Sequence, residues 1–352
     1  MYTVFMKHPS FSTKDAVLAC LADQHDYVSG EILSKRIGVS RAAVNGAVKA
    51  LRGEGFVIDS VTNRGYLLRD MPDLLSVGLI AKGLRRSCGR GTSFEAAFSR
   101  MHTVHVFDEA DSTNRILSQL ALENAPDGTV VIADAQTKGR GRLGRSFSSP
   151  KGLGLYFSYL IRPEAGATDL FSWTSLTSRT AVCVCDAIET VSGVRPHIKW
   201  VNDLYMDGKK ICGILTQTDM EPESGHIASI VIGIGINVHE TSADFPKELR
   251  ELAGSVFSAT GMHILRAHLA AEMIAALDRL RDTFPGEDAA CFAKYVEDSL
   301  LPGTDIDVIS GGKSRAARAL SIEQDYGLRV RYENGSEEVL HGGEVSIRAH
   351  KV

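Results

Sequence analysis

The densest chemistry in this 352-residue chain lies between Gln136 and Arg145. Four cations and three glycines share ten residues there, with no acid among them. Arg140, Arg142 and Arg145 are guanidinium forks, which bind carboxylate and phosphate oxygens in pairs. Gly139, Gly141 and Gly144 let the backbone approach a ligand closely. They also spell G-x-G-x-x-G after the strand-like run Thr129–Ala133. A dinucleotide fingerprint, however, requires a helix to open at the third glycine. Here the chain passes through Ser148-Ser149-Pro150-Lys151-Gly152 into another strand, so the dinucleotide reading fails. No G-x-x-x-x-G-K-[ST] is present either, so a P-loop NTPase is not expected. What remains is a basic glycine loop for an anionic ligand, poorly ordered when empty because its like charges repel. A solvated basic turn is the alternative.

A second cluster runs from Lys199-Trp-Val-Asn-Asp203 to Lys209-Lys210-Ile-Cys-Gly-Ile-Leu215. It reads as a strand, a tight turn at Asp207-Gly208 and a returning strand, which brings Asn202 and Asp203 near Lys210. Asp203 suits a magnesium ion, and a lysine steadies developing negative charge. An ordinary polar hairpin is the competing reading. Asp111-Ser112-Thr113-Asn114 stands at the start of a helix, where Ser112 is expected to cap and the neighbouring groups could hold a small polar ligand. The run Ile232-Gly-Ile-Gly-Ile-Asn237 reads as a buried strand whose last amide, Asn237, could face a site.

These pieces need elements to carry them. The length suggests two or three domains. A formal charge of −4 with 44% hydrophobic and 23% charged residues excludes collagenous and wholly disordered chains. It also argues against nucleic-acid binding over the whole surface, leaving room for a local basic patch. Six cysteines without a C-x-x-C pair fit a reducing cytoplasm and no zinc site. The first ten residues lack an apolar signal core, and Ile227–Val238 is too short to span a bilayer. A cytoplasmic protein without membrane contact is expected.

Residues 1–72 predict three helices and a hairpin. A helix spans Thr13–Gln24; Ser29 caps a second, broken by Gly38; Ser40 caps a third that ends near Arg52. The hairpin turns at Thr62-Asn63-Arg64-Gly65. This is a winged helix-turn-helix. Lys35, Arg36, Arg41, Lys49 and Arg52 supply cations for phosphates, while Ser40, Arg41 and Asn45 are placed to read base edges. Such a module can also serve as a plain protein-interaction domain. Residues 73–300 mix strand-like runs with the clear helices Asp169–Val191 and Met262–Thr283, which implies an α+β mixed sheet with helices on one side. Residues 301–352 are strand-rich, with hairpin signals at Gly311-Gly312 and Asn334-Gly335, and predict a small SH3-like β-barrel.

Six motifs occur in one order: Asp111-Ser-Thr-Asn114, Gln136 to Arg145, Lys199-Trp-Val-Asn-Asp203, Lys210-Ile-Cys-Gly-Ile-Leu215, Gly233-Ile-Gly-Ile-Asn237 and Gly342-Gly-Glu-Val-Ser-Ile-Arg348. In this the chain resembles the biotin protein ligases over nearly its whole length. With its N-terminal segment it resembles the bifunctional form that also represses the biotin operon. The resemblance implies two steps. The biotin carboxylate attacks the α-phosphate of ATP, giving biotinyl-5′-AMP and pyrophosphate. A lysine of a carrier protein, typically the biotin carboxyl carrier subunit of acetyl-CoA carboxylase, then takes the biotin as an amide. Both reactants are anionic, so cations and Mg2+ are needed, and the anhydride must be kept from water.

By position, the resemblance places Ser112, Thr113, Asn114 and Gln136 at biotin. It places Gly139, Arg140, Gly141 and Arg142 over the carboxylate and phosphate, with Gly213 beside them. Lys210, rather than Lys199, matches the catalytic lysine, with Arg142 as its catalytic companion. Asn202 and Asn237 fall near the phosphates, Asp203 at the metal, and Arg348 reaches back to the nucleotide. Phe147 stands where some members have a tryptophan and is expected to stack on adenine. Val201 replaces a common proline, and Gln217 a common glutamate. The resemblance further implies operator DNA as a partner and a homodimer formed when the adenylate binds.

Overall fold

The computed structural model describes residues 12–22, 24–87, 99–163, 170–221, 223, 225–286, 288–310 and 313–347. The N-terminal unit consists of α1 (Thr13–Ala22), α2 (Gly30–Ile37), α3 (Arg41–Gly53) and an antiparallel hairpin of β1 (Val57–Val61) and β2 (Gly65–Asp70). Its caps are those the sequence predicts. Ser29 Oγ accepts from the Ile32 amide, Gly38 closes α2 at φ +77°, and Ser40 Oγ accepts from the Ala43 amide. Val17, Leu21, Val44, Val48 and Leu51 make the buried seam. Gly65 is forced at the wing, because a Cβ there would lie 2.0 Å from the Val28 carbonyl oxygen. Arg52 donates through Nε and Nη2 to the Ile58 carbonyl at 2.9 and 2.5 Å and so ties the wing to α3. Lys35 is paired with Glu31 at 2.8 Å.

The central sheet has seven strands in the order β3 (Val104–Phe107), β4 (Val130–Ala133), β5 (Gly154–Ile161), β9 (Ile227–Asn237), β8 (Lys209–Met220), β7 (Asp203–Met206) and β6 (His197–Lys199). Only β3–β4 is a parallel pair. The helices are α4 (Val77–Ser87), α5 (Thr113–Leu122), α6 (Leu170–Ser192), α7 (Val256–Thr260), α8 (Arg266–Thr283) and α9 (Ala289–Asp298). Helices cover both faces, not one. Val130 and Ile132 of β4 face the large core with α6 and α8, while Val131 and Ala133 face Ile116, Leu117 and Leu120 of α5. Strand alternation explains this, because successive side chains point to opposite faces. Each face of this strand is apolar, so each must be covered. Beyond α5 the second face is left for the site.

Helix α4 was not anticipated. It joins the winged unit to the central one by two close crossings. A Cβ on Gly78 would lie 2.6 Å from the Asp15 carbonyl oxygen of α1, and one on Gly83 would lie 2.4 Å from the Ala271 Cβ of α8. Just before it, Asp73 accepts from the Arg266 amide at 2.8 Å and from Arg266 Nε at 2.7 Å. The same guanidinium donates to Asp134 at 2.6 Å and to the Gly154 carbonyl at 3.0 Å, and it is fully buried. His239 Nε2 approaches Asp73 at 3.1 Å.

The C-terminal strands β10 (Asp305–Ser310), β11 (Lys313–Ile322), β12 (Leu328–Tyr332), β13 (Glu337–Leu340) and β14 (Glu344–Ile347) form one antiparallel sheet, in the order β13-β12-β11-β10-β14. Its edge strands do not pair with each other among the described residues, so the expected closed barrel is an open five-stranded sheet here. Gly335 turns the β12–β13 hairpin at φ +85°. Trp200 Nε1 donates to the Tyr326 carbonyl at 2.9 Å and moors this sheet to the central unit. Among the described residues, no helix is long and apolar enough to cross a membrane.

Candidate active site

The site is built on the free part of the second sheet face. Antiparallel register places Tyr156, Gly235, Gly213, Asp203 and Lys199 in one row across β5, β9, β8, β7 and β6. Directly paired residues share a face, so all five point to the same side. The two glycines open the floor, and the ring of Phe147 rests there. A Cβ on Gly235 would lie 2.6 Å from that ring, and one on Gly213 would lie 3.7 Å from it. The Phe147 ring also meets Tyr156 edge-on, with centroids 6.4 Å apart. A cavity of about 430 Å³ lies over this floor.

At one end of the cavity stands the N-terminus of α5. Ser112 occupies the N-cap position, but its hydroxyl makes no capping bond. The capping expectation therefore fails, and Ser112 lines the cavity instead. The Thr113 amide donates to Gln136 Oε1 at 2.9 Å, and Gln136 Nε2 donates to Ser149 Oγ at 3.0 Å. Ser158 Oγ bridges Thr113 Oγ1 at 2.8 Å and Asn114 Oδ1 at 2.6 Å. Asn114 Nδ2 donates to Gln217 Oε1 at 2.7 Å, which gives Gln217 a positioning role that an acid is not needed for. Asn114 is held so closely that a Cβ on Gly233 would fall 2.0 Å from its Oδ1. Thr113 and Asn114 are both buried, so the end is polar and enclosed.

In the middle, Lys210 Nζ pairs with Asp203 at 2.6 Å. The hairpin that brings them together turns through Asp207 (φ +47°) and Gly208 (φ +72°), as the sequence implies. Asn202 Nδ2 donates to the Ile214 carbonyl at 3.0 Å, and Asn237 Nδ2 to the Gly254 carbonyl at 2.8 Å. Both side chains are buried and line the cavity.

The arginine loop covers the opening as a small hairpin. The Phe147 amide donates to the Gly139 carbonyl at 3.0 Å, and the Gly141 amide to the Arg145 carbonyl at 2.7 Å. Arg140, Gly141 and Arg142 line the cavity. Gly139 does not: it forms the neck of the hairpin, where a Cβ would strike the Phe147 carbonyl oxygen at 2.5 Å. The like charges of the loop are answered by acceptors from distant segments. Arg142 donates to Asn202 Oδ1 and to the Gly343 carbonyl, each at 2.6 Å. Arg145 donates to both carboxylate oxygens of Glu344, at 2.7 and 2.8 Å. Sequence reading missed this contact of the loop with the C-terminal sheet, and also the apolar wall of Phe245, Leu249 and Leu252. Arg348 lies outside the described residues. Val201 sits between a buried Trp200 and a buried Asn202 that are both hydrogen-bonded.

Away from this site, Arg41, Asn45 and Lys49 are exposed at intervals of four on α3, on the face adjoining its buried Val44, Val48 and Leu51, with Ser40 exposed at the cap. They form a single stripe along that helix.

A buried polar pocket, a lysine and arginines beside it and an apolar wall give one cavity the groups to hold an anionic ligand. Residues 106–237 match the family described as Biotin/lipoate A/B protein ligase family, and residues 13–67 match HTH domain. The chain is 38% identical to the Bifunctional ligase/repressor BirA of Bacillus subtilis (strain 168), over 69% of this chain and 70% of that one. It is 28% identical to the protein of that name from Escherichia coli (strain K12), over 94% and 96% of the two chains. Among solved structures it is similar to the biotin protein ligase from Aquifex aeolicus in complex with biotin and ATP, at 27% identity and a TM-score of 0.58. That match covers 70% of this chain and 98% of the other. The chain belongs to the biotin protein ligase family, in the form that carries a helix-turn-helix domain.

Proposed function

We propose that the cavity activates biotin with ATP and passes it to a lysine of a carrier protein, the biotin carboxyl carrier of acetyl-CoA carboxylase. One observation carries the reading: Lys210 and Arg142 lie between a closed polar end and an open glycine floor within one cavity. Biotin occupies the end made by Ser112, Thr113, Asn114 and Gln136, with its carboxylate toward Lys210. The nucleotide lies over Gly213 and Gly235, its adenine against Phe147, with Asn202 and Asn237 supporting the phosphate region.

In the first step, a carboxylate oxygen attacks the α-phosphorus. The bond from that phosphorus to the bridging oxygen breaks, and the electron pair leaves with pyrophosphate. Lys210 and Arg142 offset the charge that gathers on the α-phosphoryl oxygens in a site with little water. In the second step, the amine of the carrier lysine attacks the acyl carbon and AMP leaves. Mg2+ fits as an ion that arrives with the triphosphate, since it keeps several waters and needs only one or two carboxylates. Asp203 is the carboxylate to hold it; when bound, the ion neutralises phosphate charge.

The chain divides into a winged helix-turn-helix over 1–72, a catalytic domain over 73–300 and an SH3-like C-terminal domain over 301–352. Ser40, Arg41, Asn45 and Lys49 face operator DNA. The protein acts in the cytoplasm as a biotin-responsive repressor and dimerises when the adenylate is bound. The test is direct. Purified protein given biotin, ATP and magnesium must release pyrophosphate and label a carrier domain, and the adenylate must raise its affinity for an operator palindrome. Absence of adenylate overturns the enzyme reading. Operator binding that is absent, or insensitive to salt, makes the N-terminal unit an interaction module.

A further inference from the structure

The cations around the cavity fall into two kinds. Lys210, Arg142 and Arg145 each have an oxygen acceptor within 2.8 Å. Lys199 differs. It lines the cavity and is half-buried, yet among the described residues no carboxylate lies within ion-pair distance of its Nζ. It rests on the ring face of Tyr205, 5.5 Å from the centroid. Burial lowers its affinity for its proton, and Lys210 and Arg145 push the same way against the opposing pull of Asp203 and Glu344. A desolvated ammonium among other cations is costly unless an anion arrives to meet it.

Register says where that anion lies. In the row across the sheet, Gly213 and Asp203 separate the nucleotide floor at Gly235 from Lys199 on the edge strand β6. Adjacent strands are about 4.8 Å apart, so Lys199 stands about 10 Å beyond Gly213. The Ser158 and Asn114 end lies the other way, over Ser158, Gly233 and Leu215 of β5, β9 and β8, two residues along these strands from the row of Gly235. Displacement at phosphorus is in line: the attacking oxygen and the leaving oxygen stand on opposite sides. An acid seated at Asn114 attacks from the β5 side, so the leaving group departs toward β6.

We infer that Lys199 binds the two terminal phosphates of the nucleoside triphosphate and takes up the charge of the departing pyrophosphate. This rests on the ligase reading above. The electron pair of the broken phosphorus–oxygen bond goes to the pyrophosphate, and the Lys199 ammonium stabilises it by charge without giving up a proton. Its work is confined to the first half-reaction, because no pyrophosphate is present in the second.

Full-length Lys199→Met is therefore tested in each half separately. Biotin-dependent exchange of pyrophosphate with ATP measures the first. Transfer from synthetic biotinyl-5′-AMP to a carrier domain measures the second. Expected is a loss on the order of 100-fold in kcat/KM for ATP, seen in kcat as well as KM, with transfer retained within about threefold. Lys199→Arg restores most of the exchange rate. Equal loss in both halves means a structural role, loss in transfer alone means a carrier contact, and no loss means a bystander; each overturns the inference. If the wild-type chain itself exchanges no pyrophosphate, the ligase reading fails first and this inference falls with it, whatever the variants do.

Discussion

The catalytic cavity and the winged unit both present arginines and lysines, but they treat them oppositely. In the cavity three of the cations are held by acceptors of the protein itself. Lys210 is held by Asp203, Arg142 by Asn202 and the Gly343 carbonyl, and Arg145 by Glu344. On α3 the stripe of Arg41, Asn45 and Lys49 is exposed, and so are Arg52, which also reaches the wing, and Lys35, which sits beside Glu31 on the surface. The difference follows from the tasks. Chemistry at one phosphorus needs charges that do not reorganise during reaction. Binding a phosphate backbone needs accessible charges that displace counterions.

Four measurements break or sharpen that contrast. The largest effect is expected for Lys210→Ala: adenylate formation should fall on the order of 1000-fold, while operator affinity without ligand stays at the wild-type value. A comparable loss of DNA binding would mean that the two sets of cations are not separate. Next comes Glu240, buried at the end of the catalytic core, where burial pushes its pKa up to about 7. A raised carboxyl pKa means that the folded state holds a proton the unfolded state releases. Wild-type stability should thus decline from about pH 4.5 to about pH 7, by about 3 kcal/mol in all. Glu240→Gln should remove that decline. Urea midpoints of the two proteins across this range give the answer, and parallel curves would refute it. Third, Arg41→Ala with Lys49→Ala should lower operator affinity about tenfold and flatten the salt dependence by about two units of log–log slope, leaving ligation intact. An unchanged slope would remove the phosphate role. The smallest effect is expected at Glu344→Gln. Its partner Arg145 is largely exposed, so screening limits the pair, and KM for ATP should rise about threefold or less. A much larger rise would make this distant contact part of the catalytic frame.

What the sequence makes legible is local. Ser29, Gly38 and Ser40 announce their caps, and Asp207-Gly208 announces the turn that joins Lys210 to Asp203. Each signal lies within a few residues of its effect. The motifs also gather most of the cavity, from Ser112 to Asn237. What escapes is whatever depends on distant partners. The pair of Arg145 and Glu344 spans nearly two hundred residues, and neither carries a mark of the other. Ser112 reads as a cap because serine caps helices, yet its hydroxyl is turned to other use by the cavity. Gly139 reads as ligand-facing because its neighbours are; only the hairpin shows that it clears the Phe147 carbonyl. Helices on both faces of the sheet escape too, because an unbroken apolar strand such as Val130–Ala133 does not say how many layers bury it.

One guanidinium, that of Arg266, grips the segment leading out of the winged unit and also the ends of β4 and β5, at Asp134 and Gly154. The reading head is therefore not a bead on a string. To swing it, the chain must part Asp73 from a buried guanidinium that would keep Asp134 as its remaining carboxylate. Motion against such a latch is a jump between seated positions rather than a graded sway. The molecule can thus hold a definite posture while its chemistry runs beneath.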